Sequence, residues 1–477
     1  MKNKLPILLL FIFLCSIQSN AKTYNISPDS SFKKPSDVVN IVEDGDTIAI
    51  QSGEYFEDVA SWRKNNLTFI GINGYAHLNA NGKSAERKAI WVIKGNNCRV
   101  ENIEFSNCHV PDNNGAGIRL EGANLTISHC YFHDNQEGIL TGSNPNSVLI
   151  VEYSEFSNNS ADDGLSHNLY IGHLKEFHLQ YCYVHNARVG HNVKSRSGES
   201  YILYNRIMDE DTGTSSYLID LPNGGLACVM GNILMKGTAS ENPSAISYGY
   251  EGTSDTIINS LFLINNTFLN YKNNGKFAQI KDGITNFESL VINNLIAGTS
   301  NFITGKSDTV TNLIFKNIDD AMLVDPEQYD YHLLESSPAR NAGKNPLDFS
   351  QNIYGFYPKY EYMHKASIIT RTIAKVIDIG AYEFPESETA IEKESQQSFK
   401  LFPNPNNGTF SLSTNTSFDK NAKITIFNTL GQILLEMNPV LFHNNRLEFD
   451  LSNFLNGIYF LKLESNNKII FEKFIIK

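Results

Sequence analysis

The stretch that decides the fold lies between residues 100 and 184 and contains four similar segments: VENIEF (100–105), ISHCYF (127–132), VEYSEF (151–156) and LQYCYV (179–184). Each segment alternates apolar and polar residues, which is typical of a β-strand with one buried face. Similar segments follow, so that equivalent apolar positions recur every 23 to 35 residues: Phe105, Phe132, Phe156, Val184, Ile207, Ile233, Phe268 and Ile296. This period, without helical periodicity, predicts an all-β solenoid whose coils stack on one another.

A second set of apolar residues repeats with the same period, which predicts at least two strands in each coil: Ile118, Ile139, Leu169, Val193, Leu218 and Ile246. Leucine-rich repeats are excluded because their Leu-x-x-Leu-x-Leu frame is absent. An ordinary β-sandwich would not keep so regular a spacing from residue 105 to residue 296.

Stretches before and after the repeats resemble the first coils and the closing segment of right-handed parallel β-helix proteins of the pectate-lyase-like superfamily: GDTIAIQSGEYFEDV (45–59), NLTFIGING (66–74), YHLLESSPARNAG (331–343) and DIGAYEF (378–384). The resemblance covers about Lys22 to Phe384 and implies a parallel β-helix domain over 22–385. It implies little about the reaction, because one fold carries many chemistries.

The N-terminus is typical of a secretory signal peptide over residues 1–21, with two lysines, an apolar run from Leu5 to Ile17 and small residues before Lys22. The run is shorter than the ~20 residues that cross a bilayer, so we expect an exported chain without a transmembrane segment. The remaining cysteines lack the paired short spacings of a zinc site and are predicted to be small core residues: Cys98, Cys108, Cys130, Cys182 and Cys228.

The composition changes after Pro385. Residues 386–398 (ESETAIEKESQQS) contain no aromatic residue and are predicted to be a solvated linker. Strand-like segments from residue 399 to residue 477 predict a small β-sandwich. They resemble the C-terminal sorting domain of type IX secretion cargo through four stretches: FKLFPNPNNGTFSL (399–412), ITIFNTLGQIL (424–434), FDLSNFLNGIYFLKL (449–463) and FEKFIIK (471–477). The resemblance implies export across the outer membrane, followed by release or attachment to the cell surface.

The charge balance limits the kinds of partner that the chain can bind. The chain has 39 Lys and Arg against 51 Asp and Glu, a net charge of -12, which argues against a nucleic-acid partner because such binding needs a basic face. An acidic ligand must therefore meet a local cluster of cations or a metal ion. We expect a monomer whose partners are an acidic polysaccharide and the type IX secretion machinery.

Two consecutive coils, LSHNLYIGH (165–173) and VGHNVKSRS (189–197), repeat their polar residues 24 positions apart. Because alternate residues of a strand share a face, five polar residues are predicted to point outward on one face and form a polar patch: Asn168, Tyr170, Asn192, Lys194 and Arg196. The same spacing aligns His167 with His191. Arg119 has the same phase two coils earlier. On the next coil Tyr217 or Asp220 reaches this face, depending on a one-residue register.

The patch suits β-elimination in a uronic-acid polymer, which needs a ligand for the carboxylate, a base for the C5 proton and an acid for the leaving oxygen. The predicted carboxylate ligands are Arg119, Arg196 and the amides of Asn168 and Asn192. Further sugar contacts are predicted for His167, Tyr217 and Asp220.

Lys194 is the predicted base, because a neighbouring cation and partial burial both favour the neutral amine. Tyr170, His191 or His167 is the predicted proton donor. The stretch KSRSGESYILYNRI (194–207) resembles the chondroitinase-B-like alginate lyases, and the resemblance implies Lys194 as base. The Arg that acts as acid in that family, 21 positions on, is Ser215 here, so only Lys194 carries over.

Two other interpretations stay open. ADDGLSH (161–167) followed by GHN (190–192) resembles the motif order of polygalacturonase-like hydrolases, in which carboxyl groups act as acid and base. Asp162 and Asp163 are otherwise turn caps or, with Asp134, a weak calcium site, and calcium is also an alternative neutraliser of a uronate. The other interpretation is a surface-displayed carbohydrate-binding or adhesion protein without turnover.

Overall fold

A computed structural model describes residues 21–254, 258–299, 301–385, 399–414, 422–428, 433–437, 446–454, 456–465 and 468–477. The predicted linker, and all of the predicted signal peptide except Ala21, lie outside these residues. The chain divides into two compact units, Met1–Pro385 and Glu386–Lys477. Within the described ranges, none of the helices has the length and hydropathy needed to span a bilayer.

The first unit is a solenoid of parallel strands in about ten coils. One face of each coil contributes a strand to a ten-stranded sheet, called sheet B here: Ala60–Trp62, Ala89–Ile93, Ala116–Leu120, Glu137–Thr141, Leu169–Ile171, Val193–Ser195, Ile219–Leu221, Ser244–Tyr248, Lys276–Ile280 and Asn301–Thr304.

The other faces form a 21-stranded sheet, called sheet A: Thr23–Ile26, Thr47–Phe56, Thr68–Asn79, Cys98–Glu101, Ile103–Ser106, Leu125–Ser128, Tyr131–His133, Asn144–Glu152, Glu155–Ser157, Leu174–Gln180, Tyr183–His185, Glu199–Leu203, Arg206–Met208, Leu226–Met230, Ile233–Lys236, Asn259–Ile264, Thr267–Asn270, Phe287–Ile292, Leu295–Ala297, Thr309–Val310 and Leu313–Phe315. It consists of two ladders that the long strands Thr47–Phe56 and Thr68–Asn79 join near the N-terminus. Most coils therefore carry three strands, where the sequence predicted at least two.

The repeated apolar residues form the core of the solenoid. Phe105, Phe132 and Phe156 pair in register, their rings stack 4.9 and 4.8 Å apart, and all three are fully buried. The described cysteines are buried, as the sequence predicted, and they are unpaired. Each coil thus completes the core of its neighbours.

Two predicted alignments are wrong by one residue. Leu234 and not Ile233 pairs with Ile207, and Ile219 and not Leu218 pairs with Val193. In both cases two apolar residues are adjacent in the sequence. Spacing alone does not show which of them continues the stack.

Buried asparagines support the turns of the solenoid. The side-chain amides of Asn205, Asn232 and Asn266 each donate to the next asparagine of the row, over 2.9 to 3.0 Å, and Asn294 continues the row. Their Oδ1 atoms also accept backbone N–H groups of the turns. The polar groups of these bends are therefore satisfied inside the stack.

The last part of the first unit packs on sheet A. It contains three short 3₁₀ helices, Asp319–Ala321, Pro326–Gln328 and Pro346–Asp348. It also contains two antiparallel strand pairs: Leu323–Asp325 pairs with Asp330–Leu333, and Tyr360–Met363 pairs with Ser367–Thr370. A further 3₁₀ helix, Pro35–Val38, lies near the N-terminus. Tyr331 and Tyr362 share an apolar cluster with Met208 and Leu295 of sheet A. This packing involves the outer face of sheet A and not that of sheet B.

The second unit contains two antiparallel sheets. Strands Phe399–Phe402, Thr409–Thr414 and Arg446–Asp450 form one sheet, and Lys423–Asn428, Ile433–Met437, Gly457–Ser465 and Lys468–Ile476 form the other. Phe410, Ile424, Leu461 and Phe474 are buried in a common core. The unit is the small β domain that the sequence predicted.

Candidate functional site

A row of side chains crosses the outer face of sheet B, one residue from each coil. Strand pairing places Arg119, Leu140, Tyr170, Lys194 and Asp220 in register. Neighbouring members are one strand spacing apart, ~4.8 Å. The register that the sequence left open is therefore resolved, since Asp220 follows Lys194 in the row.

Two cavities that share His173 and Arg196 border this row, and together they are called the groove. The first has a volume of about 540 Å³ and is lined by Asp112, Asn113, Asn114, Arg119, Glu137, Leu140, Thr141, Ser143, Asp163, Leu165, Tyr170, Gly172, His173 and Arg196. The second has a volume of about 340 Å³ and is lined by Pro145, His173, Leu174, Arg196, Ser197, Gly198, Asn223, Gly252, Thr253 and Ser254. Lys194 and Asp220 lie beside the groove.

Lys194 and Arg196 hold a carboxylate between them. Lys194 Nζ lies 3.0 Å from Glu251 Oε1, and Arg196 Nη2 lies 2.5 Å from Glu251 Oε2. Burial raises the pKa of Glu251, but its bonds to the two cations outweigh this effect and hold the pKa below its usual value. Glu251 belongs to the loop after strand Ser244–Tyr248 and its side chain is 45% exposed.

A phenol meets the same two cations. Tyr170 Oη lies 3.4 Å from Arg196 Nε, and the Tyr170 ring centroid lies 5.6 Å from Lys194 Nζ and 5.8 Å from Arg196 Cζ. Arg196 also donates to Asn223 Oδ1 over 2.7 Å, which fixes its guanidinium at the junction of the two cavities. The structure thus brings together Tyr170, Lys194 and Arg196 from adjacent coils.

Asp220 links Lys194 to a buried histidine. Its Oδ2 lies 3.6 Å from Lys194 Nζ and 3.5 Å from His191 Nε2. Burial raises the pKa of Asp220 to about 6. Asp220 therefore orients the ammonium of Lys194, and His191 orients Asp220.

The two predicted histidines are buried, and neither lines the groove. Their rings stack 4.6 Å apart, His167 Nδ1 accepts the backbone N–H of His191, and His191 Nδ1 accepts that of Tyr217. Burial lowers the pKa of His167 to about 3 and that of His191 well below its usual value. Both rings are therefore neutral supports of the face, with the proton on Nε2, in place of the substrate contact and proton donor that the sequence predicted.

The prediction that Asn168 and Asn192 face outward is wrong. Both are fully buried, and Asn168 Nδ2 donates to Asn192 Oδ1 over 2.9 Å. They precede the strands Leu169–Ile171 and Val193–Ser195, so they lie in the turn where strand alternation no longer applies. They support that turn and do not offer amides to a carboxylate.

Tyr217 and Ser215 also lie away from the groove. The Tyr217 ring is 5.2 Å from that of His191, and its hydroxyl accepts from Gln279 Nε2 over 2.8 Å. Ser215 is fully buried and its carbonyl accepts from Lys236 Nζ. Tyr217 therefore packs behind the row instead of contacting a sugar in the groove.

Two buried polar atoms beside the groove have no hydrogen-bond partner in the described part of the chain. They are Arg119 Nε, in the first cavity, and Ser197 Oγ, in the second. A buried polar atom without a partner is costly.

Comparison with known families and proteins adds to this picture. Residues 61–232 match the family described as the right handed beta helix region, and residues 400–477 match the secretion system C-terminal sorting domain.

The chain is a right-handed parallel β-helix protein with a C-terminal secretion sorting domain. The sorting domain indicates type IX secretion, with the protein either secreted or attached to the cell surface.

The β-helix protein is similar to pectate lyase B of Paenibacillus amylolyticus, with 25% identity over 140 residues. The match covers 26% of this chain and 35% of that enzyme. Among solved structures it is similar to pectate lyase Pel9A, with a TM-score of 0.44 and 12% identity over 76% of this chain and 97% of that chain.

Two acidic residues of the β-helix protein were missed by the sequence analysis. Glu251 lies in a loop, and strand spacing does not show where a loop folds. Glu137 is the first residue of strand Glu137–Thr141, lines the groove and accepts the backbone N–H of His167 over 2.9 Å. Burial holds the pKa of Glu137 well above its usual value and favours the neutral carboxyl. A glutamate close to the apolar residues Ile139 and Leu140 was the available signal.

The aspartates considered for hydrolysis or calcium have protein partners in the β-helix. Asp163 caps its own turn by accepting two backbone N–H groups. Asp162 pairs with Arg188 at 3.0 Å, and Asp134 bonds His133 at 2.7 Å. Only Asp163 lines the groove among these three.

Proposed function

We propose that the groove binds an acidic polysaccharide and that the protein cleaves it by β-elimination. The observation that carries this proposal is the carboxylate of Glu251, which lies between Lys194 and Arg196. A uronate carboxylate has the same charge and shape, so it can take the place of Glu251 on Arg196, with its sugar ring beside Lys194.

Arg196 is the main ligand of the uronate at the cleavage site. Its guanidinium is held by Asn223 and lies where both cavities meet. Arg119, which lines the first cavity, meets a second acidic sugar further along the groove. The overall charge of the chain is negative, so these local cations supply the attraction for the polymer.

Lys194 removes the C5 proton of the bound uronate. The C4–O bond then breaks, a C4–C5 double bond forms, and Tyr170 gives its phenolic proton to the leaving oxygen. Arg196 stabilises the negative charge that develops on the carboxylate as the C5 proton leaves. The product is an unsaturated uronate at the new non-reducing end.

Glu251 occupies Lys194 before the substrate binds. Its carboxylate bonds both Lys194 and Arg196, so an acidic polymer must displace Glu251 before Lys194 can reach the C5 proton. Binding of the acidic polymer thereby frees the base.

Hydrolysis is the second candidate function, because two carboxyl groups with opposite pKa shifts line the first cavity. Burial raises the pKa of Glu137 well above its usual value, whereas hydrogen bonds from Leu165 and Ser166 outweigh burial and lower that of Asp163. Such a pair suits a general acid and a general base. In this case Glu137 replaces Asp162 as the partner of Asp163.

The two functions are distinguished by their products. The purified protein is incubated with alginate, pectate, ulvan and glycosaminoglycans while ultraviolet absorbance and reducing ends are measured together. β-Elimination gives both signals in equal amounts, and a chelator tests the need for calcium. Reducing ends without absorbance indicate hydrolysis, and the absence of both signals with retained binding indicates a carbohydrate-binding protein.

A further inference from the structure

We propose that His77, Glu104 and His133 form a binding site for a divalent transition-metal ion, such as Zn²⁺, on the outer face of sheet A. Among the described residues, these three form the one group of histidine, cysteine and acidic side chains whose ligand atoms all lie within 4.8 Å of one another. The site is separate from the groove on sheet B.

Three successive coils supply the ligands. Strand pairing places His77 beside Glu104, and His133 follows on the next coil, two residues further along its strand. Glu104 Oε1 lies 2.9 Å from His133 Nε2 and 3.6 Å from His77 Nε2. Zinc–nitrogen and zinc–oxygen bonds of ~2.0–2.2 Å fit between atoms at these separations with little movement.

The donor set matches the known preferences of Zn²⁺. Two imidazoles and one carboxylate leave a fourth position of a tetrahedral site for water. The side chains are 24%, 20% and 16% exposed for His77, Glu104 and His133. An ion therefore has access from solvent, and the site is not a closed structural core.

A second carboxylate orients one of the ligands. Asp134 Oδ2 lies 2.7 Å from His133 Nδ1, so Nδ1 donates and Nε2 is left to face Glu104 and the metal. Metal-bound histidines usually have such an outer carboxylate, which fixes the ring and makes it a stronger ligand. Ser106 Oγ lies 2.7 Å from His77 Nε2. Rotation of the Ser106 side chain would leave this nitrogen free to bind the metal.

Other histidine–carboxylate contacts on sheet A lack these features. His178 pairs with Glu176 at 3.1 Å but has no second histidine within the cluster distance in the described ranges. His185 lies between Glu155 and Glu210, at 3.2 and 3.5 Å, so both of its nitrogens face carboxylates. The metal site is therefore proposed only at His77, Glu104 and His133, and His178 provides a matched control.

The bound ion would join three coils that otherwise depend on strand pairing and core packing. In a solenoid each coil interacts only with its neighbours, so a cross-link over three coils stabilises that section. Binding to the folded chain alone raises the unfolding midpoint in proportion to the logarithm of the metal concentration.

The test measures Zn²⁺ binding to the purified, metal-stripped protein by isothermal titration calorimetry, with Co²⁺ absorption as a geometric probe. We expect one ion per chain, the intense visible bands of tetrahedral Co²⁺, and a rise in melting temperature with Zn²⁺ but not with Mg²⁺. Removing both histidines in the His77→Ala/His133→Ala variant should abolish all three responses. Asp134→Asn should weaken Zn²⁺ binding by ~10- to 100-fold, and His178→Ala should leave it unchanged.

Glu104→Gln keeps the size of the side chain, and it is the variant to use if the double variant does not fold. It should also remove the tetrahedral Co²⁺ bands. Equal Zn²⁺ binding in the wild-type protein and in folded ligand variants, or no binding by the wild-type protein, would overturn the proposal.

Discussion

Glu251 Oε1 lies 3.0 Å from Lys194 Nζ, although the two residues are 57 positions apart in the sequence. The contact joins a loop to a strand two coils away. It places a carboxylate of the protein where the proposed function requires a carboxylate of the substrate. The contact therefore both supports the proposed site and opposes substrate binding to it.

Replacing Glu251 by Gln should lower KM for a uronate polymer and leave kcat nearly unchanged. The amide competes less well for Lys194 and Arg196 than the carboxylate does. A half-exposed ion pair contributes up to ~1 kcal/mol, so the decrease in KM should be at most about fivefold. Initial rates over a range of polymer concentrations measure this.

Glu101→Gln is the matched control, because Glu101 pairs with Arg99 at 3.0 Å on sheet A. It should not change KM. A higher KM in Glu251→Gln would mean that Glu251 assists the substrate instead of competing with it.

Replacing Tyr170 by Phe should lower kcat by ~10²- to 10⁴-fold, the usual contribution of a positioned general acid. The ring remains, so its contacts with Lys194 and Arg196 persist, and KM should change little. Steady-state kinetics on the polymer that the wild-type protein cleaves provides the measurement. An unchanged kcat would assign the proton donor to another group.

The contribution of the buried His167 to the stability of the solenoid should fall as the pH falls below ~6.5. The pKa of His167 drops from 6.5 to about 3 on folding, so between these values the unfolded chain binds more protons than the folded one. The contribution of His167 to the free energy of unfolding is therefore fully present above pH ~6.5 and is lost as the pH falls towards 3. From pH 7.5 to pH 5 the loss is ~2 kcal/mol for His167 alone.

Urea unfolding at the two pH values tests this expectation. His167→Asn should reduce the difference in unfolding free energy between the two pH values. His109→Gln, at an exposed position, should retain the wild-type difference. An equal pH dependence in all three proteins would exclude His167 as a source of acid instability.

The Phe stack should dominate the stability of the central coils. Phe132 is fully buried between Phe105 and Phe156, so Phe132→Ala should cost ~3–5 kcal/mol through a core cavity. Phe56 is 57% exposed, and Phe56→Ala should change stability by less than ~0.5 kcal/mol. Similar shifts of the urea midpoint in both variants would contradict the inward orientation of Phe132.

The period of apolar residues was sufficient to predict the coils and the row from Arg119 to Lys194, because pairing in register depends on that period. It did not predict the side-chain directions of Asn168 and Asn192, since strand alternation ends at the turn. It also missed Glu251, whose loop is positioned by tertiary contacts. The His77 cluster escaped notice because its ligands are single residues on separate coils without a local motif.

The central claim is that Lys194 removes a proton from a uronate polymer held on sheet B. The most direct measurement compares Lys194→Ala and Lys194→Arg with wild type in the ultraviolet assay for the unsaturated product, with polymer binding followed in parallel by calorimetry. Lys175→Ala is the control, because Lys175 is exposed and pairs with Glu176 at 2.7 Å on sheet A. We predict that both Lys194 variants bind the polymer but lose nearly all turnover, since a group used in the transition state affects kcat more than ground-state affinity, while the control keeps wild-type activity. Wild-type rates of unsaturated product in the Lys194 variants, or no such product from the wild-type protein on any uronate polymer, would contradict the claim.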